Sequence, residues 1–198
     1  MSPFVIYQNV ERFSQPTPSS LAEQVQWLRD RGAARIKHSG MTFLDHLAGT
    51  RDFLRQFGEP PAVVAAGLFH SAYGSSEFNR GLANPTDAER EALRGLIGPQ
   101  AEELALLFGS IANRPNVLSN VALGLTRVRL RNGVDHDLSP DGACALLAIE
   151  CANLLEQRIM GDLAGLVYHA QARGYLQPSG FCLARRRTVG QQLALEAP

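Results

Sequence analysis

The sequence predicts an all-α fold, a single-domain helical bundle with one small β-hairpin. Helix-capping signals recur along the chain, apolar residues return at helical spacing after them, and one stretch alternates in polarity around an Asn-Gly turn. At 198 residues the chain has the length of one ordinary domain, and no repeat or low-complexity linker divides it. We expect one domain over 1–198, with an N-terminal arm at 1–20 and a C-terminal helix at 179–198.

Two capping boxes predict the first helices. Ser20 with Glu23, and Thr42 with Asp45, have the spacing at which a hydroxyl and an acid satisfy the free amides of a helix start. The first pair predicts a helix over 21–31. The second predicts a helix over 42–57 that stops at Gly58.

The next helices differ in how apolar they are. Two prolines open AVVAAGLFHSAY, which is apolar on every face up to His70 and is typical of a helix buried all round. Further helices are predicted from 86 to 98 and from 99 onward. A second buried helix is predicted over 143–160 after Ser139-Pro140, followed by helices over 161–173 and 182–196. The irregular region between them contains the predicted hairpin, over 127–138 around Asn132-Gly133.

Composition excludes some partners and locations. Lys+Arg and Asp+Glu number 19 each, so no net field attracts nucleic acid or anionic lipid, and neither partner is expected. Cys144, Cys151 and Cys182 form no CxxC pair, and an odd number argues against a closed disulfide framework. No signal-peptide pattern or long apolar span is visible. We therefore expect a cytoplasmic protein.

Four polar residues fall where an apolar core is expected: His46, His70, Glu150 and Asn153. Burying a neutral polar group without a partner costs about 2–7 kcal/mol, so these side chains should meet each other, a ligand or water. Another interpretation makes them structural, with His46 at the core boundary, His70 satisfied in the core and Glu150 paired with an arginine.

The order of these residues resembles a known family. The run from RIKHSG to FHSAYGSSEF resembles the opening of the HD-domain superfamily, as in its alarmone hydrolases and its inositol-oxygenase branch. There one helix bears the first metal-ligand histidine and the next ends in a His-Asp motif. By this resemblance His46 and His70 take the histidine positions, and LLAIECANLLEQ places Asn153 at the final aspartate. The resemblance implies an HD-like helical bundle.

The sequence departs from that family at both metal-binding aspartates, which are Ser71 and Asn153 here. A divalent metal (Fe, Mn or Zn) would then rest on His46, His70 and Glu150, or on Asp45 in place of Glu150, although hard cations prefer more carboxylate oxygens. The segment GLFHSAYGSSEF also resembles an uncharacterised HD-like family that reads Phe-His-Ser-x-Tyr-Gly. That resemblance implies changed chemistry.

Without a metal, His46 and His70 are the candidate acid-base groups, because imidazoles titrate near neutral pH. Tyr73, three residues after His70, is expected on the same helix face and is the third catalytic candidate. The candidate substrate-binding residues lie before, between and after these positions: Arg35, His38, Ser71, Glu77, Arg80, Glu150 and Asn153.

Three functions remain open. The first is a small-molecule enzyme with a His-centred acid-base site that catalyses hydrolysis, elimination, isomerisation or cyclisation. The second is a metal-dependent phosphohydrolase or iron oxygenase. The third is a non-catalytic domain that binds a ligand or a partner. The expected partner is a small-molecule substrate, and the apolar face of the last helix allows a homodimer. In each case we predict that His46, His70 and Asn153 converge on one pocket from three helices.

Overall fold

Capping side chains begin the helices where the sequence predicts. In the computed structural model, which describes residues 18–75, 81–172 and 174, Ser20 and Thr42 each accept a hydrogen bond from the amide three residues on. Their acidic partners complete both capping boxes. Thr86 and Ser139 cap two later helices in the same way. The predicted all-α class is confirmed.

The described residues form eight α-helices and two small strand pairs. The helices are α1 (Leu21–Asp30), α2 (Phe43–Phe57), α3 (Pro61–Phe69), α4 (Asp87–Ile97), α5 (Pro99–Ser110), α6 (Arg114–Ala122), α7 (Pro140–Gln157) and α8 (Met160–Ala172). The antiparallel pairs are β1 (Lys37–His38) with β2 (Met41–Thr42), and β3 (Arg127–Arg129) with β4 (Asp135–Asp137). A 3-10 turn, Ala33–Arg35, precedes β1.

Helix α7 lies at the centre of the core. Every residue from Ala145 to Leu155 is buried, which explains why its sequence is apolar on most faces. It packs against α2, α3, α5, α6 and α8. Helix α3 lies across α2, and Gly67 allows the close approach because a side chain there would overlap Leu54. The helices α2, α3 and α7 therefore meet at one place, and this contact positions the candidate site.

The structure confirms the predicted hairpin and adds elements that the sequence analysis did not predict. Strands β3 and β4 pair in register, with Val128 opposite His136, on either side of the Asn-Gly turn. The predicted irregular region also contains α6, which has no side-chain cap and begins beside a proline. The β1–β2 pair was not predicted either. Helix α7 ends at Gln157, earlier than predicted, because Arg158 adopts a left-handed conformation with φ 61°.

Two predicted segments lie wholly or mostly outside the described residues. The helix over 182–196 falls among residues that the structure does not describe, as does most of the arm at 1–20. Within the part of the chain that is described, no helix is long and apolar enough to cross a membrane.

Two helical glycines make a matched stability test. A Cβ added at buried Gly109 would lie 2.5 Å from the carbonyl oxygen of Gly74, a backbone atom that cannot rotate away, whereas one added at exposed Gly95 would meet nothing within 4 Å. We expect Gly109→Ala to lower the free energy of unfolding by about 1–3 kcal/mol. Gly95→Ala should raise it by about 0.5–1 kcal/mol, since alanine favours helix more than glycine does. Urea unfolding followed by circular dichroism measures both, and a stabilising Gly109→Ala would contradict the packing.

Candidate acid-base site

Two histidines meet at the contact between α2 and the end of α3. His46 lies in the first turns of α2 and His70 caps the C-terminus of α3. Their Nε2 atoms are 3.3 Å apart and each residue is 1% exposed. The predicted meeting of these two residues is therefore present in the structure, although they are 24 positions apart in the sequence.

Hydrogen bonds assign the proton positions on His70. Its Nδ1 lies 2.7 Å from the carbonyl oxygen of Gly67, one turn earlier in α3. A carbonyl oxygen only accepts, so Nδ1 carries the proton and donates it. The neutral ring then has its lone pair on Nε2, which accepts from the Nε2–H of His46.

Glu156 contacts the other face of this pair. Its carboxylate, near the end of α7, accepts a short hydrogen bond from Nδ1 of His46, and its side chain is 6% exposed. Gly49 leaves the space for it, because a Cβ at Gly49 would lie 2.7 Å from Cγ of Glu156. His46 thus donates from both nitrogens, and a directed chain runs from Glu156 through His46 and His70 to the carbonyl of Gly67.

The sequence analysis missed Glu156. It selected Asn153 on α7 because the family resemblance placed an aspartate there. Residues three apart on a helix are neighbours on its surface, so Glu156 lies on almost the same face as Asn153. The three-residue spacing from Asn153 is the feature of the sequence that could have identified Glu156.

Burial keeps His70 neutral. Desolvation holds the pKa of His70 well below its ordinary value, and the nearby His46 lowers that pKa further. The hydrogen bond to Gly67 works in the opposite direction but does not outweigh them. The neutral ring agrees with the tautomer that the hydrogen bonds require.

His38 covers His46 on the side nearest the surface. Its ring, on β1, lies 4.3 Å from that of His46 between centroids. Burial lowers the pKa of His38, as does the neighbouring His46, while a hydrogen bond with Gln157 opposes the shift. His38 also lines a surface groove of about 630 Å³ that the β1–β2 hairpin forms with the start of α2. It is therefore the member of the histidine cluster that reaches this groove.

A row of polar side chains follows one face of α7. Glu150 accepts hydrogen bonds from Nε of Arg114 at 3.2 Å and from Nδ2 of Asn153 at 3.1 Å. Gln157 donates to Asn153 and accepts from the hydroxyl of Ser39. The structural interpretation predicted an arginine partner for Glu150 without naming the residue, and that partner is Arg114. Asn153 is therefore joined to the hairpin through Gln157, and the α7 side chain that contacts the histidines is Glu156.

The structure does not bring Tyr73 to the histidine pair. Its hydroxyl donates to Glu102 at 2.9 Å, within a cluster that also contains Arg90 and Arg94. Burial and this carboxylate raise the pKa of Tyr73. Burial would raise the pKa of Glu102, but hydrogen bonds from Arg90 and Tyr73 outweigh it and the pKa is lowered. Helical spacing does not relate Tyr73 to His70, because α3 ends at Phe69.

The remaining candidates are dispersed. Ser71 is buried in the turn after His70. Arg35 is exposed in the 3-10 turn, where its guanidinium lies beside Gly32. Glu77 and Arg80 lie outside the described residues.

The described residues do not fit a divalent metal. The facing Nε2 atoms of His46 and His70 have the orientation of metal ligands, each with its Nδ1–H held by an acceptor. However, no group of three or more His, Cys, Asp or Glu that could hold a metal ion occurs in the described ranges. Glu150 is engaged by Arg114, and Asp45 by the cap of α2. A metal needs more ligands than two neutral imidazoles.

The comparisons add one similarity. Residues 27–113 match a family model described as a domain of unknown function (DUF6817). The matched stretch is less than half of the chain, contains His38, His46 and His70, and ends before α7. No curated protein and no solved structure matches the chain. The resemblance to the HD superfamily stays a prediction.

The depressed pKa of His70 should make stability depend on pH. The unfolded chain binds a proton at His70 below about pH 6.5, whereas the folded chain does not until its lower pKa is reached. The unfolded state then holds more protons, so the free energy of unfolding should fall as the pH drops below about 6.5. We expect His70→Asn to weaken this dependence between pH 7 and 5. The exposed His136→Asn is the control, and an equal slope in both variants would contradict the assignment.

The hydrogen-bond chain also predicts the protonation pattern. In two-bond ¹H–¹⁵N correlation spectra at pH 7, His70 should show the Nδ1–H tautomer, and His46 should carry a proton on Nδ1, where it faces Glu156. Glu156→Gln should weaken the hydrogen bond of the Nδ1 proton of His46, because a neutral amide oxygen is a weaker acceptor than a carboxylate. An Nε2–H tautomer at His70 would contradict the chain.

Proposed function

We propose that this protein is a small-molecule enzyme in which His46 and His70 act as a paired general acid and general base. The observation that carries the proposal is the directed chain from Glu156 through His46 and His70 to the carbonyl of Gly67. In this chain the two buried imidazoles differ at the nitrogens that face each other: one presents a proton and the other presents a lone pair. Two neighbouring titratable side chains whose surroundings favour the protonated form of one and the deprotonated form of the other are typical of acid-base catalytic sites.

The roles follow from the protons. His46 holds a proton on Nε2 and is backed by the carboxylate of Glu156, so it is the acid. Neutral His70 has its lone pair on Nε2 and is the base. A substrate group that takes the place of the His46–His70 hydrogen bond meets a donor and an acceptor together. Isomerisation and elimination need both in one step, and these are the reaction classes that we favour among the four.

Other residues position the pair. Glu156 fixes the ring of His46, as a carboxylate does for a catalytic imidazole. The carbonyl of Gly67 fixes the ring of His70. Earlier on α7, Glu150 and Asn153 are hydrogen-bonded to each other and are held by Arg114 and Gln157. We expect these polar side chains to orient a polar substrate.

The groove beside His38 is the proposed approach. His46 and His70 are 1% exposed, so a substrate must displace the covering group. The β1–β2 hairpin is a short element of two residue pairs, and a hydrogen bond from Ser39 to Gln157 joins it to α7. Short elements with few buried contacts open at low cost. We infer that the hairpin moves and takes His38 off His46.

A structural role alone explains the pair poorly. Two imidazoles and a carboxylate buried together lose solvation, and apolar side chains of similar size are often at least as stabilising in such positions. Here the surrounding core is apolar, with Phe43, Phe108 and Leu47 fully buried around the two histidine-bearing helix ends. Retaining three ionisable groups in that setting supports a chemical use.

The test compares turnover in a pool of small molecules. Purified protein is incubated with a cell metabolite extract, and compounds consumed or formed are followed by mass spectrometry. We expect the wild type to convert at least one compound, and His70→Asn and Glu156→Gln to convert it slower by about 10²–10⁴-fold and by a smaller factor, respectively. Tyr73→Phe should retain turnover, because its hydroxyl is bound by Glu102.

Circular dichroism and thermal unfolding identify any variant that has lost its fold. Conversion that persists in folded His70→Asn would overturn the proposal. No conversion by the wild type would favour the non-catalytic function. One equivalent of iron, manganese or zinc in protein purified without chelator, lost in His46→Ala, would replace the metal-free assignment with the metal-dependent one.

A further inference from the structure

A cavity of about 780 Å³ opens between the start of α1, the end of α2, the start of α3 and the α4–α5 junction. Pockets that bind small molecules commonly have 300–1,000 Å³, about this size. None of the three histidines of the candidate site lines it. It is therefore a separate feature of the fold.

Most of its wall is apolar. Helix α3 contributes Ala62, Val64 and Ala65, and the α4–α5 junction contributes Ile97 and Ala101. Prolines line both sides of the opening, and proline walls are stiff because the ring fixes φ. Leu21, in the first turn of α1, is 42% exposed beside it. A ligand with an apolar body would cover this surface.

Two arginines give the cavity a charged edge. Arg51 and Arg55 lie one turn apart on α2 and both line the cavity. Arg51 forms an ion pair with its neighbour Asp52, so that part of its charge is already balanced. Arg55 is exposed at the same edge. Together they offer guanidinium groups that match a carboxylate in geometry and charge.

One carboxylate opposes them. Glu59 lines the cavity where α3 begins, and burial raises the pKa of its carboxyl group. Two guanidinium groups and one carboxylate therefore line the cavity, and these charges favour an anion.

We propose that this cavity binds an amphipathic monocarboxylate, with its apolar chain along α3 and the α4–α5 junction and its carboxylate at Arg55 and Arg51. Neither the apolar part of the wall nor the two arginines alone would select a monocarboxylate with an apolar chain. Apolar walls alone would accept an alcohol or a hydrocarbon equally well, and the arginines alone would bind any small anion. A ligand that has both parts uses the whole cavity. The proposal is independent of the acid-base function.

The experiment uses octanoate and 1-heptanol as matched probes, titrated calorimetrically into the full chain. Both probes carry six methylenes, each worth about fourfold in affinity when buried. We expect octanoate to bind more tightly than 1-heptanol. Arg55→Gln should weaken octanoate by about two- to fivefold, the range for an exposed ion pair, and leave 1-heptanol unchanged. Glu59→Gln should strengthen octanoate alone.

Two further variants keep the test decisive. Ala65→Trp fills the cavity from its half-buried wall and should abolish binding of both probes, with Ala62→Trp as the substitute if the first does not fold. Arg29→Gln, an exposed arginine on α1 outside the cavity, should change nothing. Absence of octanoate binding, equal binding of the alcohol, or binding that survives the filled cavity would each overturn the proposal.

Discussion

The fold depends on satisfying polar groups that it buries between α2, α3 and α7. In an apolar interior an unpaired donor or acceptor costs more than a hydrogen bond gains, so each buried group fixes the position of the next. The carbonyl of Gly67 sets the tautomer of His70, which sets the donor on His46, which in turn requires the carboxylate of Glu156. Small residues make this arrangement fit. Gly67 lets α3 approach α2, and Gly49 leaves room for Glu156.

A second buried polar cluster lies around Glu102, apart from the histidine pair. Glu102 is fully buried on α5 and is paired with arginines from α4 and with Tyr73. The turn after α3 separates this cluster from the histidine pair, since His70 contacts His46 on α2 while Tyr73 contacts Glu102 on α5. Phe108 lies edge-on to His70 and beneath the guanidinium of Arg114, so one aromatic ring contacts both side chains. Arg114 lowers the pKa of His70, although less than burial and His46 do.

The sequence predicted most helices because their starts are encoded locally. Capping boxes, first-turn prolines and terminal glycines need no knowledge of the rest of the chain, and α1, α2, α4 and α7 begin where these signals lie. Helix α6 was missed although Pro115 lies in its first turn, and the side chain of Asn113 before it forms no cap. The histidine pair was predicted from residue order and resemblance. Glu156 and the true partner of Tyr73 were not, because both depend on contacts between distant elements.

The position of the acid-base pair relative to the surface bears on how such a site can work. His46 and His70 are held by three helices of the rigid core, whereas their cover is a two-pair hairpin that continues directly into the cap of α2. Desolvation keeps His70 neutral, and the same desolvation strengthens the His46–Glu156 interaction. In the function that we propose, opening the hairpin would admit a substrate without moving either ring from its partner on the helices. A pair held by core helices beneath a two-pair hairpin is compatible with both the burial of the histidines and the access that the proposal requires, and His38 would then be placed to close over a bound molecule.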